Sequence, residues 1–192
     1  MAPDVGLFNV VNGFATQVPL LDSLMRLLVN DYFVPTALCL LTAALWFAGD
    51  TKGQRRLNQR TVVCIVVAVL LANLLVKLCN VVYFRPRPFS VQQVNLLFYR
   101  PSDSSLPSNA AAVGLAFAGM AWQRHRWLGV VMGALAGLFA LARIYCGVHY
   151  PLDVIAGGLL GAVSAYVVGK AQRLFEPLTA AIVGVGRRLY LA

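Results

Sequence analysis

The feature that most constrains the fold is a series of apolar segments, each close to the length that a helix needs to cross a lipid bilayer. Only 12% of the 192 residues are charged, whereas soluble domains carry about 25%, so a water-exposed surface could not be covered. The bilayer core takes roughly 20 apolar residues in a helix. Five segments approach this length, at residues 32–49, 61–84, 108–122, 127–147 and 152–169.

These segments predict an all-α fold, an integral membrane bundle of about five transmembrane helices. Only helices and closed barrels satisfy the backbone in lipid, and the sequence has no alternating strand pattern. Residues 4–31 and the tail from Lys170 onward mix apolar and charged residues, which favours interfacial helices at both ends. Whether residues 4–31 span the membrane stays open. Without an evident linker or repeat, residues 1–192 are expected to form a single domain.

Basic residues predict the orientation of the bundle. Ten of the sixteen fall on one side of the predicted spans, and the positive-inside rule makes that side cytoplasmic. They are Lys52, Arg55, Arg56, Arg60, Arg124, Arg126, Lys170, Arg173, Arg187 and Arg188. The net charge of +9 is therefore explained by topology and anionic lipid, and no nucleic-acid partner is expected. A multi-pass protein of the cell (inner) membrane follows, with loops 85–107 and 147–151 facing the periplasm or exterior.

Basic residues near the outer side run against this rule, so they need another role, and binding an anion is the obvious one. Lys77 forms a helical stripe with Asn73 and Asn80, although such residues also serve as links between helices. Arg85 and Arg87 follow, in a segment stiffened by prolines. A guanidinium fork matches phosphate oxygens, and the alternative is anchoring at the head-group level.

Helix boundaries supply the remaining candidates. Ser108 and Asn109 open the third apolar segment, where they can cap the helix and also bind phosphate at its N-terminus. Arg143 ends the fourth segment. His149 stands just before the fifth, and Asp153 lies in its first turn. A carboxylate at this spacing can hold one imidazole nitrogen and leave the other free to attack.

These residues resemble the type 2 phosphatidic acid phosphatase superfamily, whose pattern is KxxxxxxRP, then PSGH, then SRxxxxxHxxxD. The third motif matches at Arg143, His149 and Asp153, the second at Pro107 and Ser108, and the first at Arg87 and Pro88. The resemblance covers about residues 60–170. It implies that His149 is a nucleophile oriented by Asp153 and forms a phosphohistidine, without a metal or other cofactor. Lys77, Arg87, Ser108 and Arg143 would then hold the phosphate oxygens.

Two positions depart from the family pattern. Asn80 stands seven residues before Arg87, where the family has lysine, and Lys77 lies about one turn earlier. Ala110 stands where the second motif has histidine, the residue that the resemblance makes general acid and base. His125, the other histidine, falls on the opposite side of the predicted bundle. We therefore expect impaired catalysis, and the otherwise intact motifs favour a deliberate replacement over natural loss.

The short chain, the five predicted spans and the RPRPF segment most resemble the bacterial undecaprenyl pyrophosphate phosphatases of this superfamily. The implied partner is a membrane lipid with a phosphate or pyrophosphate head. Alternative substrates are phosphatidate, phosphatidylglycerophosphate, lipid A and decaprenyl-phosphoribose phosphate. A non-catalytic lipid-phosphate binder and a transporter stay open as other classes of function, as does association into a homo-oligomer.

Overall fold

A computed structural model describes residues 3–188, and within that range the chain forms helices and connecting loops without a strand. The predicted all-α fold is thereby confirmed. The helices are α1 (Pro3–Gly13), α2 (Pro19–Val29), α3 (Phe33–Phe47), α4 (Lys52–Val82), α5 (Pro88–Val91), α6 (Asn109–Arg124), α7 (Arg126–Tyr145), α8 (Pro151–Lys170), a 3-10 turn (Gln172–Phe175) and α9 (Glu176–Arg188).

Local sequence signals set the helix ends. Thr51 precedes α4, and its hydroxyl accepts a hydrogen bond of 3.2 Å from the amide of Gln54, as an N-cap residue does. Pro151 opens α8, at a position where an amide hydrogen would have no partner within the helix. After α7 the chain turns at Gly147, whose φ of +83° suits glycine. This reversal places His149 in the short connection between α7 and α8.

Helix α6 lies at the centre of the bundle, packed against α4, α7 and α8. Small residues permit a very close approach between helices. A Cβ atom on Gly157 would stand 2.1 Å from the carbonyl oxygen of Ser108, and one on Gly161 would stand 2.1 Å from that of Ala112. Because α6 and α8 touch backbone to backbone here, the N-termini of these two helices are fixed side by side.

The two ends of the bundle collect different loops. At one end the turn between α6 and α7 meets α4, where His125 Nε2 and Asn58 Oδ1 are 2.8 Å apart. At the other end lie the first turns of α6 and α8 and the loop that follows α4, in which the Ser105 amide donates to the Arg85 carbonyl at 2.9 Å. We call the end with the first turns of α6 and α8 the site end, and the end with His125 the opposite end.

Length and hydropathy identify three helices of the described chain that can each cross a membrane, namely α4, α7 and α8. The pair α2 and α3, bent by 55° at their junction, qualifies as a fourth span when taken together. Helix α6 has 16 residues, fewer than the roughly 20 that cross a bilayer core. All five segments predicted to span are helical, but only three or four candidate spans meet these criteria. Residues 19–29, expected at the interface, belong to one of them.

Both terminal helices pack against the bundle. Helix α1 contacts α7 and α8 at the site end, where Phe8 is fully buried and its ring centroid lies 5.3 Å from that of Tyr150. Helix α9 packs against α4 at the opposite end, where Arg60 and Glu176 form an ion pair of 2.9 Å. The N-terminal helix therefore forms part of the structure that surrounds the site end.

Candidate active site

A cavity of about 290 Å³ lies at the site end, between the start of α6, the last turns of α7 and the loop before α6. Five of the residues predicted from the sequence line it together: Arg87, Asn109, Ala110, Arg143 and His149. Among residues 3–188, no group of three or more His, Cys, Asp or Glu side chains is arranged to hold a metal ion. The cavity wall carries one histidine and two arginines, together with Asp31, Tyr99 and Asp103.

His149 is buried and its two ring nitrogens have different partners. Nδ1 lies 2.8 Å from the backbone carbonyl oxygen of Ser105. Because a carbonyl can only accept, Nδ1 carries the hydrogen and Nε2 is the unprotonated nitrogen. Nε2 accepts a hydrogen bond of 3.2 Å from Nη1 of Arg87. Burial also lowers the pKa of His149, so the neutral form, which can act as a nucleophile, persists to lower pH.

Asp153 makes no direct hydrogen bond to His149 and is linked to it through Ser105. Its Oδ2 atom is 3.8 Å from Nδ1 of His149, which is too long for a hydrogen bond. The same oxygen accepts hydrogen bonds from the Ser105 hydroxyl at 2.5 Å and from the Tyr150 amide at 2.8 Å. The sequence predicted that the carboxylate itself holds the imidazole. In the structure Ser105 stands between them, with its hydroxyl on the carboxylate and its carbonyl on the ring.

Arg85 lies behind Asp153 and does not line the cavity. Its Nη1 donates to Asp153 at 2.5 Å and its Nη2 to Asp4 at 2.6 Å. Burial opposes the charge of Arg85, but these two carboxylates outweigh it and raise the pKa of the guanidinium. Asp4 also accepts a hydrogen bond of 2.9 Å from the amide of Leu152, in the first turn of α8. These contacts indicate that Arg85 positions Asp153 and ties it to α1, whereas the sequence suggested phosphate binding.

Arg87 reaches His149 and uses all of its N–H groups. Nη1 donates to His149 and, at 3.0 Å, to the carbonyl of Val148. Nε donates to the carbonyl of Asp103 at 3.1 Å, and Nη2 donates to its carboxylate at 2.8 Å. A weaker contact of 3.5 Å joins Nη2 to the carbonyl of Ser104. The guanidinium is thus fixed beside Nε2 of His149 by partners that are mostly backbone carbonyls.

Arg143 lines the same cavity from the last turn of α7. Its Nη2 donates to the carboxylate of Asp31, in the turn between α2 and α3. The guanidinium carbon lies 4.8 Å from the ring centroid of Phe139 and 5.0 Å from that of Phe98. Nε is buried and has no hydrogen-bond partner. A buried donor without a partner is rare, and an oxygen of a bound phosphate is a suitable acceptor.

The start of α6 provides a second set of donors. Ser108 is fully buried, but its hydroxyl neither caps the helix nor has another partner. Its amide donates to the carbonyl of Asp153 at 2.9 Å, which fixes the start of α6 against α8. The first amides of a helix have no carbonyl partner within it and favour anions. With Asn109 and Ala110 in the cavity wall, these amides are placed to bind phosphate oxygens.

The two departures from the family motifs have different positions. Ala110 lines the cavity, so the acid–base position of the family faces the same space as His149. Lys77 is exposed on α4 and is not part of the cavity wall. In its stripe, Asn73 donates to the carbonyl of Val69 at 3.0 Å, within the same helix. The structure therefore does not bring the stripe on α4 into the cavity.

Four further residues contribute to the site and were not predicted: Asp4, Asp31, Asp103 and Ser105. Each lies in a loop or at the edge of a polar terminal segment, where charged and hydroxyl side chains are expected simply for solvation. Their separations along the chain from the three motifs match neither a helical period nor a known motif pattern. The only indication was the polar run at residues 101–105, directly before the second motif.

Comparison with known proteins identifies the arrangement. A family model described as the PAP2 superfamily matches residues 61–175. The chain is 30% identical over 182 residues to undecaprenyl-diphosphatase BcrC of Bacillus subtilis, covering 93% of this chain and 89% of that protein. It is 31% identical over 165 residues to the undecaprenyl-diphosphatase of Sulfolobus acidocaldarius, covering 83% and 73%. The crystal structure of LpxE from Aquifex aeolicus is similar with a TM-score of 0.68 and 28% identity, covering 88% of this chain and 96% of that one.

Proposed function

Since the chain belongs to the PAP2 superfamily and is a lipid phosphatase, we propose that it removes the terminal phosphate of a polyprenyl pyrophosphate, undecaprenyl pyrophosphate in particular. The similarity to two undecaprenyl-diphosphatases supports this substrate. The observation that carries the proposal is the unprotonated Nε2 of His149 beside Arg87, in one cavity with Arg143 and the start of α6. A nucleophile next to preorganised phosphate donors is what phosphoryl transfer requires.

In the first step Nε2 of His149 attacks the terminal phosphorus. A P–N bond forms, the bond to the bridging oxygen breaks, and its electron pair leaves with the lipid monophosphate. Arg87, Arg143 and the amides of α6 bind the oxygens of the transferred phosphoryl group. The phosphorylated ring keeps its hydrogen on Nδ1 and becomes positively charged. The Asp153 carboxylate, 3.8 Å from Nδ1, stabilises that charge.

In the second step water attacks the phosphohistidine, the P–N bond breaks, and its electron pair returns to Nε2. The attacking water must lose a proton, and the methyl group of Ala110 cannot accept it. General acid–base assistance typically contributes about 10²–10⁴-fold to a rate. We therefore infer that this chain binds its lipid substrate but turns it over slowly, with the second step most impaired.

The first step also depends on the leaving group. A lipid monoester must expel an alkoxide, which needs a proton that Ala110 cannot supply. A pyrophosphate expels a phosphate, which leaves without that proton far more readily. The alanine at position 110 thus favours pyrophosphate substrates in this chain, and phosphate is expected to accumulate on His149.

The cavity faces the periplasm or the cell exterior in this proposal, and the chain lies in the cell membrane. Support comes from Arg124 and Arg126, which flank His125 at the opposite end of the bundle. Under the positive-inside rule that end is cytoplasmic. The site end is then at the outer surface, where the head group of a translocated lipid would be presented.

Phosphate release from undecaprenyl pyrophosphate in detergent micelles tests the mechanism. Ala110→His should raise the steady-state rate by roughly 10²–10⁴-fold, because it restores a group that can exchange protons with the leaving group and the water. The matched control combines Ala110→His with His149→Ala and should release no phosphate. Equal rates for the alanine and histidine forms would show that position 110 has no acid–base role. Phosphate release by the double variant would show that His149 is not the nucleophile.

A second candidate function, a lipid-phosphate binder without catalysis, is favoured by the presence of Ala110 in the cavity wall. The same assay separates it from the first. If Ala110→His binds polyprenyl pyrophosphate but releases no phosphate from it, nor from phosphatidate, phosphatidylglycerophosphate or lipid A, the binder function replaces the enzymatic one.

A further inference from the structure

Each arginine proposed to bind phosphate is already paired with an aspartate. Arg87 Nη2 donates to Asp103 Oδ1 at 2.8 Å, and Arg143 Nη2 donates to Asp31 Oδ1. All four residues line the same cavity. A carboxylate offers oxygens to a guanidinium much as a phosphate does. The two aspartates therefore use donors that a phosphate group would need.

Asp103 is the partner of Arg87 that can leave most easily. The Arg87 side chain is 6% exposed, whereas that of Asp103 is 60% exposed and lies in the loop before α6. Because most of the Asp103 side chain is in contact with solvent, its carboxylate can turn into water, where water molecules replace the guanidinium as its partners. The backbone carbonyls of Val148 and Asp103 then still hold the guanidinium in place.

Asp31 holds Arg143 in a similar way from the opposite wall. The Arg143 side chain is 8% exposed and that of Asp31 is 36% exposed. The hydroxyl of Tyr99 donates to the second oxygen of Asp31 at 2.7 Å, and Tyr99 also lines the cavity. Because Arg143 stays between two phenylalanine rings, the carboxylate is the group that would move.

We propose that Asp103 and Asp31 compete with phosphate for Arg87 and Arg143. A phosphate group binds by displacing the two carboxylates, and the carboxylates return to the arginines as inorganic phosphate leaves. The exchange keeps the affinity for released phosphate low, so that product does not block the cavity. This inference rests on the proposed function, since it takes the cavity as the phosphate site.

Isothermal titration of the detergent-solubilised full chain with inorganic phosphate, at constant ionic strength, tests the exchange. Asp103→Asn and Asp31→Asn keep the shape of the side chain and remove its charge. Each should tighten phosphate binding by about tenfold, because a dianion no longer has to displace or face a carboxylate. Asp50→Asn is the matched control, since Asp50 is exposed in the turn between α3 and α4 and should leave the affinity unchanged.

Arg87→Gln separates this inference from the function on which it rests. If Arg87→Gln abolishes phosphate binding but both aspartate variants bind phosphate equally or more weakly than the parent, the competition is refuted and the phosphate site stands. If no form binds phosphate, or if binding is insensitive to Arg87→Gln, the cavity is not the phosphate site and both proposals fail. Asp103→Ser removes the same charge with a different side chain. It takes the place of Asp103→Asn in the titration if the asparagine variant is unstable.

Discussion

Removal of the Ser105 hydroxyl tests whether Asp153 controls His149 through this residue. Ser105 donates to the buried carboxylate at 2.5 Å. A hydrogen bond to a charged group contributes about 1.5–3 kcal/mol, and Asp153 would keep Arg85 and the amide of Tyr150 as partners. We therefore expect Ser105→Ala to lower the free energy of unfolding by about that amount, with the fold preserved.

The effect on catalysis should be of similar size to this loss of stability. The carbonyl of Ser105 orients the ring of His149, so a loosened residue 105 misplaces the nucleophile. A shift of this kind can cost about 10–100-fold in rate. Without the serine hydroxyl, Asp153 is also free to approach Nδ1 directly. A closer carboxylate favours the charged imidazolium, which raises the pKa of His149.

The assay is kcat/KM for pyrophosphate hydrolysis as a function of pH, in the Ala110→His form so that turnover is fast enough to measure. Since His149 must be unprotonated to attack, the acid limb should move to higher pH in Ser105→Ala. Ser105→Thr keeps the hydroxyl and should restore both the rate and the position of the acid limb. Ser102→Ala changes an exposed serine in the same loop and serves as the control. If Ser105→Ala leaves kcat/KM unchanged, or lowers it without moving the acid limb, Ser105 does not position His149.

Two further predictions concern packing and orientation. Gly157→Ala places a Cβ 2.1 Å from the Ser108 carbonyl and should destabilise the chain by about 1–3 kcal/mol in chemical unfolding. Gly158→Ala, whose Cβ would stand 3.8 Å from its nearest neighbour, is the control, and equal stability of the two variants contradicts the close contact of α6 and α8. In a chain whose native cysteines are replaced, Ser102→Cys should react with an impermeant thiol reagent in intact cells, whereas Lys52→Cys should not. Reaction of Lys52→Cys alone reverses the orientation.

The sequence predicted the helices because apolar segments of bilayer length have few alternatives to the helix. It also predicted that Arg87, Arg143 and His149 meet. Arg143 and His149 flank a single reversal of the chain, at Gly147, and Arg87 begins the loop that leaves α4 at the same end of the bundle. No side-chain detail was needed for that part of the site.

Contacts made by loops could not be predicted in the same way. The direct link expected between Asp153 and His149 followed from a spacing of four residues, which places two side chains on one face only if both are helical. His149 precedes α8 and is not part of it, so the distance is 3.8 Å and Ser105 enters between them. Residue 105 arrives from a loop whose path depends on tertiary contacts. The pairing of Asp4 with Arg85 spans 81 positions of the chain and has no local signal.

The different positions of Arg85 and Arg87 have a physical origin in Pro86, the proline that separates them. Arg87 has φ −77° and ψ 156°, values typical of polyproline II, which has three residues per turn. Side chains two positions apart on such a helix point in directions that differ by about 120°, so the two guanidinium groups diverge. Arg87 turns toward Nε2 of His149, and Arg85 turns toward Asp153 and Asp4. The rigid segment thereby gives its two arginines different partners: Arg87 contacts Nε2 of His149, and Arg85 forms ion pairs with the buried carboxylate of Asp153 and with Asp4.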